Sequence, residues 1–410
     1  MNICKIIGRK KTWNSVPLIN DYSFTIFERT EEINTDEWNI VNKPDNVFLS
    51  IEYLKILEKN DIETSKYFFV TIHKNDKIVG IAFFQLISFN AGIFGDLIIN
   101  QLKNIKNESK NSSKTFTKKS NSSSFYQLLT LGNNYMSGEY GFTFVSDVDR
   151  LTQFEILEKL CAIISRREKL KTKISAVLVK DFYPDTLPVL NKFSNENYLQ
   201  FSAEPNMYIE IPNEINSLTK YISLFSKKYR NRAKKILSLS KNIKIYNLNV
   251  SDLEQHKKSI YNLYLQVYNK AKFKLVKLNE DYFLNCKNNF GEKFIAKGYF
   301  LNDSLIGFKT AFIQSQDELE AHFIGFDYKL NKEFEIYQNI LFGFIDLAIE
   351  LRRKKLILGR TAAEIKSTTG AKASEMICFI KPQNSLSRLL LKPFIAYLQP
   401  SEWTPRNPFK

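Results

Sequence analysis

Cysteine and histidine are scarce in this sequence, and their scarcity limits the chemistry it supports. The four cysteines, Cys4, Cys161, Cys286 and Cys378, are far apart and have no metal-type spacing. The three histidines are scattered along the chain, which argues against a histidine-rich metal site. We therefore predict no metal ion, and the cysteine usage predicts a reduced, cytoplasmic chain.

Long apolar runs and glycine motifs are also lacking. No apolar run approaches the ~18 residues of a membrane span, and the N-terminal MNICKIIGRKK lacks the apolar core of a signal peptide. No P-loop, Rossmann glycine motif or Ser–His–Asp arrangement occurs. We expect a cytoplasmic protein, with a peripheral position at the inner membrane as the alternative.

Positive charge is abundant. The 410 residues carry a formal net charge of +16, which favours an anionic partner: nucleic acid, an acidic membrane surface or a phosphorylated substrate. The alternative is a general bias toward lysine, asparagine and isoleucine. Because 44% of the residues are hydrophobic, the chain can bury a sizeable core and is long enough for two domains.

A strand–helix–strand pattern stands out in the second half. Glu318–Phe326 and Lys355–Leu358 are short apolar runs typical of strands, and Phe334–Leu351 between them has the spacing of one apolar helix face. Such a unit is a crossover that places its two strands side by side. The polar segment Gly359–Ala371 follows the second strand. Ligands of open α/β sheets gather at such edges, so we expect any chemistry here.

Residues 218–240 predict a basic helix. Its apolar stripe steps by three or four residues and consists of Leu218, Ile222, Phe225, Tyr229, Ala233 and Ile236. The other faces carry Lys227, Lys228, Arg230, Arg232, Lys234 and Lys235. These cations repel one another unless an anion is near, so the helix is either an anion-binding face or a solvated one.

The remaining patterns predict a mixed α/β order. In the first half we predict a helix over 46–59 capped by Asp45, a hairpin over 67–89, strands over 125–135, 140–148, 173–180 and 207–211, and helices over 151–168 and 187–197. Later come helices over 256–271, 281–290 and 386–398, a hairpin over 294–313 and a strand over 376–380. Residues 102–124 are rich in serine, asparagine and lysine and predict a disordered insertion.

Two hairpin tips resemble each other. The first reads KNDKIVG over residues 74–80, and the second reads LNDSLIG over residues 301–307. Asn-Asp at a tip is ordinary turn chemistry, so coincidence is one explanation. The other is a repeat of one α/β module, which also accounts for the length and the element order. We place the modules at residues 1–212 and 213–410, with the predicted active site in the second.

The order helix–hairpin–strand–helix–strand resembles the N-acetyltransferase-like (GNAT) fold. Two such modules in tandem resemble the FemAB-like acyltransferases and, more narrowly, the peptidoglycan biosynthesis/recognition (BioF2-like) proteins. The residues that carry this resemblance are Lys228–Arg232 of the basic helix, Ala321–Phe323, Tyr337, Gly359-Arg360, Glu364, Lys366 and Gly370-Ala371. The resemblance spans about residues 45–400 and implies a fold of mixed α/β sheets in tandem GNAT-like modules.

The resemblance implies transfer of an acyl group from acyl-CoA or an acyl-carrier protein to an amine, with a ceramide-synthase-like lipid amine as one candidate acceptor. No tightly bound cofactor is implied. An aminoacyl-tRNA-dependent ligase acting on peptidoglycan precursors and a non-catalytic module on an anionic membrane are the alternatives. Residues 329–337, where a GNAT protein cradles the pyrophosphate of coenzyme A, contain no glycine. This departure argues against coenzyme A in its usual position.

Amide formation requires a base for the amine, and His322 is the first candidate because an unperturbed imidazole titrates near pH 6.5. Glu364 is the second candidate, as a carboxylate that holds or deprotonates an ammonium. The alternatives are a core histidine and a loop salt bridge. Asp181, at the end of a strand in the first module, is a weaker candidate. The predicted substrate- and donor-binding residues are Arg360, Lys366, Tyr337, Lys228, Arg230 and Arg232, with simple surface charge as the competing interpretation.

Overall fold

The structure is a computed structural model, and it describes most of the chain. The described residues are 13–42, 46–60, 65–90, 125–169, 174–184, 193, 197–271, 275–385, 387–388, 391, 395, 399 and 402–410. The predicted insertion 102–124 and the predicted cap Asp45 lie outside these residues, as do most of the helices predicted over 187–197 and 386–398.

The first half begins with a hairpin and continues as an α/β unit. Its strands are β1 Trp13–Ile19, β2 Tyr22–Phe27, β3 Ser65–Lys74, β4 Lys77–Asn90, β5 Phe125–Leu131, β6 Phe142–Phe144, β7 Ile174–Phe182 and β8 Leu199–Glu210. Its helices are α1 Thr35–Val41, α2 Ile51–Asn60 and α3 Arg150–Lys169. The helix and strands predicted over 151–168, 173–180 and 207–211 correspond to α3, β7 and β8.

The second half follows the same order with more helices. Its strands are β9 Lys244–Asn247, β10 Phe294–Leu301, β11 Ser304–Ile313, β12 Glu318–Phe326, β13 Lys355–Gly359 and β14 Lys372–Pro382. Its helices are α4 Leu218–Ser223, α5 Lys227–Leu239, α6 Val250–Gln255, α7 Lys257–Lys270, α8 Tyr282–Phe290, α9 Tyr328–Phe334, α10 Ile336–Glu350 and α11 Ala363–Ser367. Among the described residues, no helix is long and apolar enough to cross a bilayer.

All described strands belong to one mixed sheet of 14 strands. Strand β5 runs parallel to β7, and β12 runs parallel to β13; the other pairs are antiparallel. Helix α3 connects the first parallel pair and α10 the second, so each half contains one crossover. The predicted crossover over 318–358 is confirmed by its parallel register, Glu318 opposite Lys355 and Glu320 opposite Ile357.

The two halves exchange their last strands at the centre of the sheet. The order there is β7-β14-β8-β13, so each half's final strand pairs with the parallel strands of the other half. Ile377 of β14 lies opposite Phe182 of β7, and Ile209 of β8 lies opposite Leu356 of β13. The predicted boundary at residue 212 follows β8 directly. Each half therefore completes the other's sheet.

The two hairpins β3–β4 and β10–β11 have the same backbone geometry. The φ angles are 48° and 62° at Asn75 and Asp76, and 47° and 62° at Asn302 and Asp303. Both hairpins also contain a bulge at the same distance from the tip, beside Gly80 in one and Gly307 in the other. Since bulges are specific local features, their shared position supports the predicted repeat.

Helices from both halves share one core. Tyr53 of α2 and Tyr282 of α8 are fully buried, and their hydroxyls are 3.0 Å apart. Nearby, the Val47 amide donates to Oε1 of Gln314 at 3.2 Å, and Asn60 Nδ2 donates to the Lys277 carbonyl at 2.9 Å. These contacts fix the first half against the second, so residues of either half can occupy one site.

The predicted basic helix over 218–240 is interrupted, which corrects the prediction of one continuous helix. Helix α4 ends at Ser223 and α5 begins at Lys227. Between them Phe225 forms an isolated β-bridge with Phe409, and the Ser226 amide donates to the Pro408 carbonyl at 2.8 Å. The C-terminal residues thus take backbone hydrogen bonds that a continuous helix would use.

Candidate active site

A cavity opens where the parallel strands β12 and β13 separate. Their pairing stops at Glu320 opposite Ile357, although β12 continues to Phe326. A cavity of about 610 Å³ lies between their ends. Its lining is largely apolar and includes Tyr264, Val267, Phe323, Ile324, Leu341 and Phe344. This volume is in the range of small-molecule sites, about 300–1,000 Å³.

Glu320 places a carboxyl group in the wall of this cavity. The residue is 1% exposed, and the Tyr140 hydroxyl donates to its Oε2 at 2.7 Å. Burial raises the pKa of the Glu320 carboxyl to about 8. The pKa of Tyr140 is raised well above its ordinary value, mainly by burial and to a lesser extent by the nearby Glu320. The phenol therefore stays protonated and remains a donor. A carboxyl with a pKa near neutrality is suited to proton transfer.

Tyr140 belongs to the loop of residues 132–141 in the first half, and this loop places its hydroxyl against Glu320. Lys180 Nζ donates to two carbonyl oxygens of this loop, those of Asn133 and Met136, at 2.6 and 2.8 Å. Asp181 Oδ2 accepts from the Gly138 amide at 3.2 Å. The site is therefore composite, with a carboxyl group from one half and its donor from the other.

A buried ion pair connects the halves beside the cavity. Asp181, which is fully buried, accepts from Arg360 Nη2 at the end of β13 and lies 2.7 Å from Lys180 Nζ. Burial alone would raise the pKa of Asp181, but Arg360 and Lys180 hold it below its ordinary value. Asp181 is thus ionised at neutral pH and fixes the Arg360 side chain.

His322 lines the cavity, but both of its ring nitrogens have protein partners. Nε2 is 3.0 Å from the Tyr282 hydroxyl, and Nδ1 is 3.2 Å from Thr310 Oγ1. Thr310 Oγ1 is also 3.1 Å from the Phe323 carbonyl oxygen. If Thr310 donates there, the imidazole carries its proton on Nδ1 and accepts from Tyr282. Burial lowers the pKa of His322 to about 3, so the ring is neutral.

Lys366 also lines the cavity, and its ammonium group holds the backbone that follows β13. Nζ donates to the carbonyls of Leu358, Gly359 and Arg360 at 2.8, 3.0 and 2.5 Å. These bonds use all three donors of a lysine ammonium. Burial lowers the pKa of Lys366 to about 7. Its observed contacts therefore position Arg360.

The remaining predicted residues lie in two places. Tyr337, in the first turn of α10, lines the cavity, whereas Glu364 lies outside its lining and accepts from Arg406 at 2.5 and 3.0 Å. Lys228 is exposed on α5, and Arg232 on the same helix donates to Oε1 of Gln338 at 3.0 Å. Arg230, also on α5, is half-buried. The cavity thus brings His322, Tyr337, Arg360 and Lys366 together.

The start of α10 does not fit the pyrophosphate of coenzyme A. The residue before the helix is Glu335, whose φ is 50° and whose carboxylate accepts from Gln338 at 2.5 Å. The Tyr337 amide donates to Asn331 Oδ1 at 2.8 Å. Asn331 Oδ1 therefore already accepts from one of the helix amides that would receive a phosphate, and the Glu335 carboxylate adds a negative charge at this end of the helix. Within the described ranges no three His, Cys, Asp or Glu side chains form a metal-binding group.

Glu320 and Tyr140 were not among the residues predicted from the sequence. A signal for Glu320 was present, because strand alternation places it on the same face as His322, two residues on. Its neighbours Leu319 and Ala321 are apolar and predict a largely buried strand. A carboxylate in such a strand is a candidate functional residue. Tyr140 carries no comparable signal, since only the tertiary fold brings its loop to β12.

The order and pairing of the strands define a tandem GNAT fold, which confirms the predicted fold class and resemblance at the level of the fold. FemX is similar over 88% of this chain and 98% of its own, with 12% identity and a TM-score of 0.52. A tandem GNAT protein from the clavulanic acid biosynthesis pathway matches over the same shares of the two chains, with 6% identity and a TM-score of 0.50.

A more distant likeness is to the C-terminal domain (DUF2156) of a putative lysylphosphatidylglycerol synthetase from Agrobacterium fabrum. It covers 67% of this chain and 83% of that chain, with 9% identity and a TM-score of 0.41. No protein-family model matches the sequence, and no curated protein matches it significantly.

Proposed function

We propose that this protein is an N-acyltransferase with Glu320 as its general base. The observation that carries the proposal is the buried carboxyl of Glu320, held by Tyr140 in the wall of an apolar cavity between separating parallel strands. The tandem GNAT fold supports an acyl-transfer reaction but does not identify the substrates.

The reaction proceeds by attack of a neutral amine on an activated acyl carbonyl. The acceptor enters as an ammonium ion, and the ionised Glu320 accepts a proton from its nitrogen. The new C–N bond then forms as the bond between the carbonyl carbon and the donor's sulfur breaks. The nitrogen loses a second proton as the amide forms, the sulfur takes up a proton, and the donor leaves as a thiol. Since the pKa of Glu320 is about 8, the carboxyl can take up and release a proton near physiological pH.

His322 has a different role in this proposal. Because its nitrogens are engaged by Tyr282 and Thr310 and burial lowers its pKa to about 3, it is poorly suited to collect a proton from an amine. It packs beside Phe312 and Phe323, with ring centroids 4.9 and 4.5 Å away. His322 is therefore proposed to position the cavity wall on β12.

For the donor we propose the thioester of an acyl-carrier protein. The apolar lining suits an acyl chain, whereas the start of α10 opposes the coenzyme A pyrophosphate. Arg232 of α5 contacts Gln338, directly after the cavity residue Tyr337. Helix α5 therefore lies beside the start of α10, and its exposed cations can receive an acidic carrier protein; these include Lys227, Lys228, Lys234 and Lys235.

The test offers the purified protein acyl-carrier-protein thioesters, acyl-CoA and aminoacyl-tRNA in parallel, each with a panel of primary amines. Mass spectrometry identifies any amide formed. We expect amide from the carrier-protein thioester and a loss of about 10²-fold or more in Glu320→Gln. Transfer from aminoacyl-tRNA alone would support the ligase alternative. Amide formation that is unaffected in Glu320→Gln would contradict the proposed base.

A further inference from the structure

A second, smaller chamber adjoins the cavity. Its volume is about 300 Å³, and its far wall is formed by β7, β8 and β14 at Leu178, Phe201, Ala203 and Cys378. The two spaces share lining residues, among them Asn134 and Arg360. One elongated site therefore passes from the β12–β13 opening into the strands that the two halves exchange.

Arg360 has an unused donor at this junction. Its Nη2 donates to Asp181, but its Nε is buried and has no hydrogen-bond partner within the described part of the chain. Leaving a buried donor unsatisfied is unfavourable, and more so for a charged group. An acceptor atom supplied by a ligand would remove that cost.

Asn134 presents a second unsatisfied group in the same wall. Its Nδ2 and Oδ1 are both buried and find no partner among the residues that the structure describes. Its backbone is nevertheless fixed, because its amide donates to Oε1 of Gln85 at 2.7 Å. An unpaired amide and an unpaired guanidinium nitrogen in the lining of one chamber are typical of a polar ligand site.

The charges around the smaller chamber define the ligand further. Lys180 and Arg360 surround the single buried carboxylate of Asp181, which leaves one positive charge in excess. Glu204 also lines the chamber, half-buried, and adds a negative charge to the wall. With Glu204 included, these four side chains sum to zero charge, so hydrogen bonds and not net charge must hold an anion here. A singly charged carboxylate then meets less repulsion from Glu204 than a doubly charged phosphate does.

We infer that the smaller chamber selects an acceptor amine that carries a carboxylate, as in an amino acid or peptide. Arg360 Nε and Asn134 Nδ2 donate to the carboxylate, while the amine extends into the larger cavity toward Glu320. The inference rests on the proposed function and specifies its acceptor. Arg360 acts here as a specificity-determining residue through a charge-assisted hydrogen bond.

Three acceptors of similar length test the inference: propylamine, β-alanine and O-phosphoethanolamine, each with the carrier-protein thioester at pH 8. We expect kcat/KM to be at least tenfold higher for β-alanine than for propylamine, with O-phosphoethanolamine between them. Arg360→Lys keeps a cation beside Asp181 but lacks Nε, and should bring the β-alanine to propylamine ratio near one. Asn134→Ala, which leaves the ion pair intact, should reduce the ratio about threefold or more.

An equal fall in kcat for all three acceptors in Arg360→Lys would assign Arg360 to the reacting carbonyl and overturn the inference. Binding of β-alanine without any donor, followed by calorimetry, separates this inference from the proposed function. Binding that is lost in Arg360→Lys supports the carboxylate site even where no transfer is seen. Transfer to propylamine without measurable β-alanine binding rejects the carboxylate site and leaves the acyltransferase proposal standing.

Discussion

The buried carboxyl of Glu320 predicts a specific dependence of stability on pH. The fold keeps this carboxyl protonated up to a pKa of about 8, whereas in the unfolded chain it ionises near 4.5. Above pH 4.5 the unfolded chain releases a proton that the folded chain retains, so rising pH favours unfolding. The stabilising contribution is complete below pH 4.5 and is lost as pH rises through about 8.

These two pKa values set the size of the effect. From pH 5 to pH 9 they correspond to a loss of about 4 kcal/mol in the free energy of unfolding. Glu320→Gln keeps an oxygen that accepts from Tyr140 but does not titrate. The variant should therefore lack this loss, and the difference in stability between variant and wild type should grow by about 4 kcal/mol over the same interval.

Urea denaturation at pH 5, 7 and 9, followed by circular dichroism, measures this difference. Glu318→Gln is the matched control, because Glu318 lies on the same strand but is about a third exposed and pairs with Lys355 at 2.7 Å. Its pH profile should follow that of the wild type more closely than Glu320→Gln does. Parallel profiles for wild type and Glu320→Gln would refute the reasoning that Glu320 is buried and protonated.

Three further predictions concern other parts of the molecule. Asp181→Asn leaves two cations without their anion and should lower the free energy of unfolding by about 3–5 kcal/mol, as measured by thermal denaturation. A decrease below about 1 kcal/mol would contradict the buried pair. Gly325→Ala should cost about 3 kcal/mol, because a Cβ would lie 2.3 Å from the Phe308 ring and 2.6 Å from the backbone of α7; unchanged urea midpoints would argue against this packing. Replacing the lysines of α5 by glutamine should weaken acyl-carrier-protein binding about tenfold at low salt, as measured by calorimetry; equal affinity would place the carrier elsewhere. The replaced residues are Lys227, Lys228, Lys234 and Lys235.

The elements that the sequence predicts well are those with a local signal. Helix α3 and the crossover helix α10 have clear apolar periodicity, and the hairpin tips have the residues that left-handed turns favour. Strand β9 was missed because its four residues are all exposed and show no alternation. The strands β1 and β2 were missed as well, although Tyr22–Phe27 alternates apolar and polar residues as a half-buried strand does.

The exchange of strands between the halves has no local signal. Whether β8 pairs with β14 and β13 depends on contacts between residues more than a hundred positions apart in the chain. The same holds for the interruption before α5, which depends on Phe409 and Pro408 at the far end of the chain. Periodicity extends through the interruption because the apolar stripe continues on both sides of it.

In the candidate site, too, some features have a local sequence signal and others depend on the tertiary fold. The sequence located the cavity at the end of the crossover and named His322, Tyr337, Arg360 and Lys366, all of which line it. It left open whether His322 is a core histidine and whether Glu364 forms a loop salt bridge. In the structure Tyr282 and Thr310 engage both nitrogens of His322, and Arg406 pairs with Glu364. Burial and pairing are properties of the tertiary fold, so the choice among acidic and basic groups awaited the structure. The catalytic roles of these residues stay predictions.

A single-turnover measurement tests the central claim that Glu320 removes the proton from the acceptor amine. The rate of amide formation is followed from pH 6 to pH 9.5 for wild type, Glu320→Gln and His322→Gln, with saturating donor. We predict a wild-type rate that rises with pH and levels off near pH 8, a rate lowered about 10²-fold or more in Glu320→Gln, and a smaller loss in His322→Gln. A wild-type rate in Glu320→Gln, with the rate abolished in His322→Gln, would contradict the account.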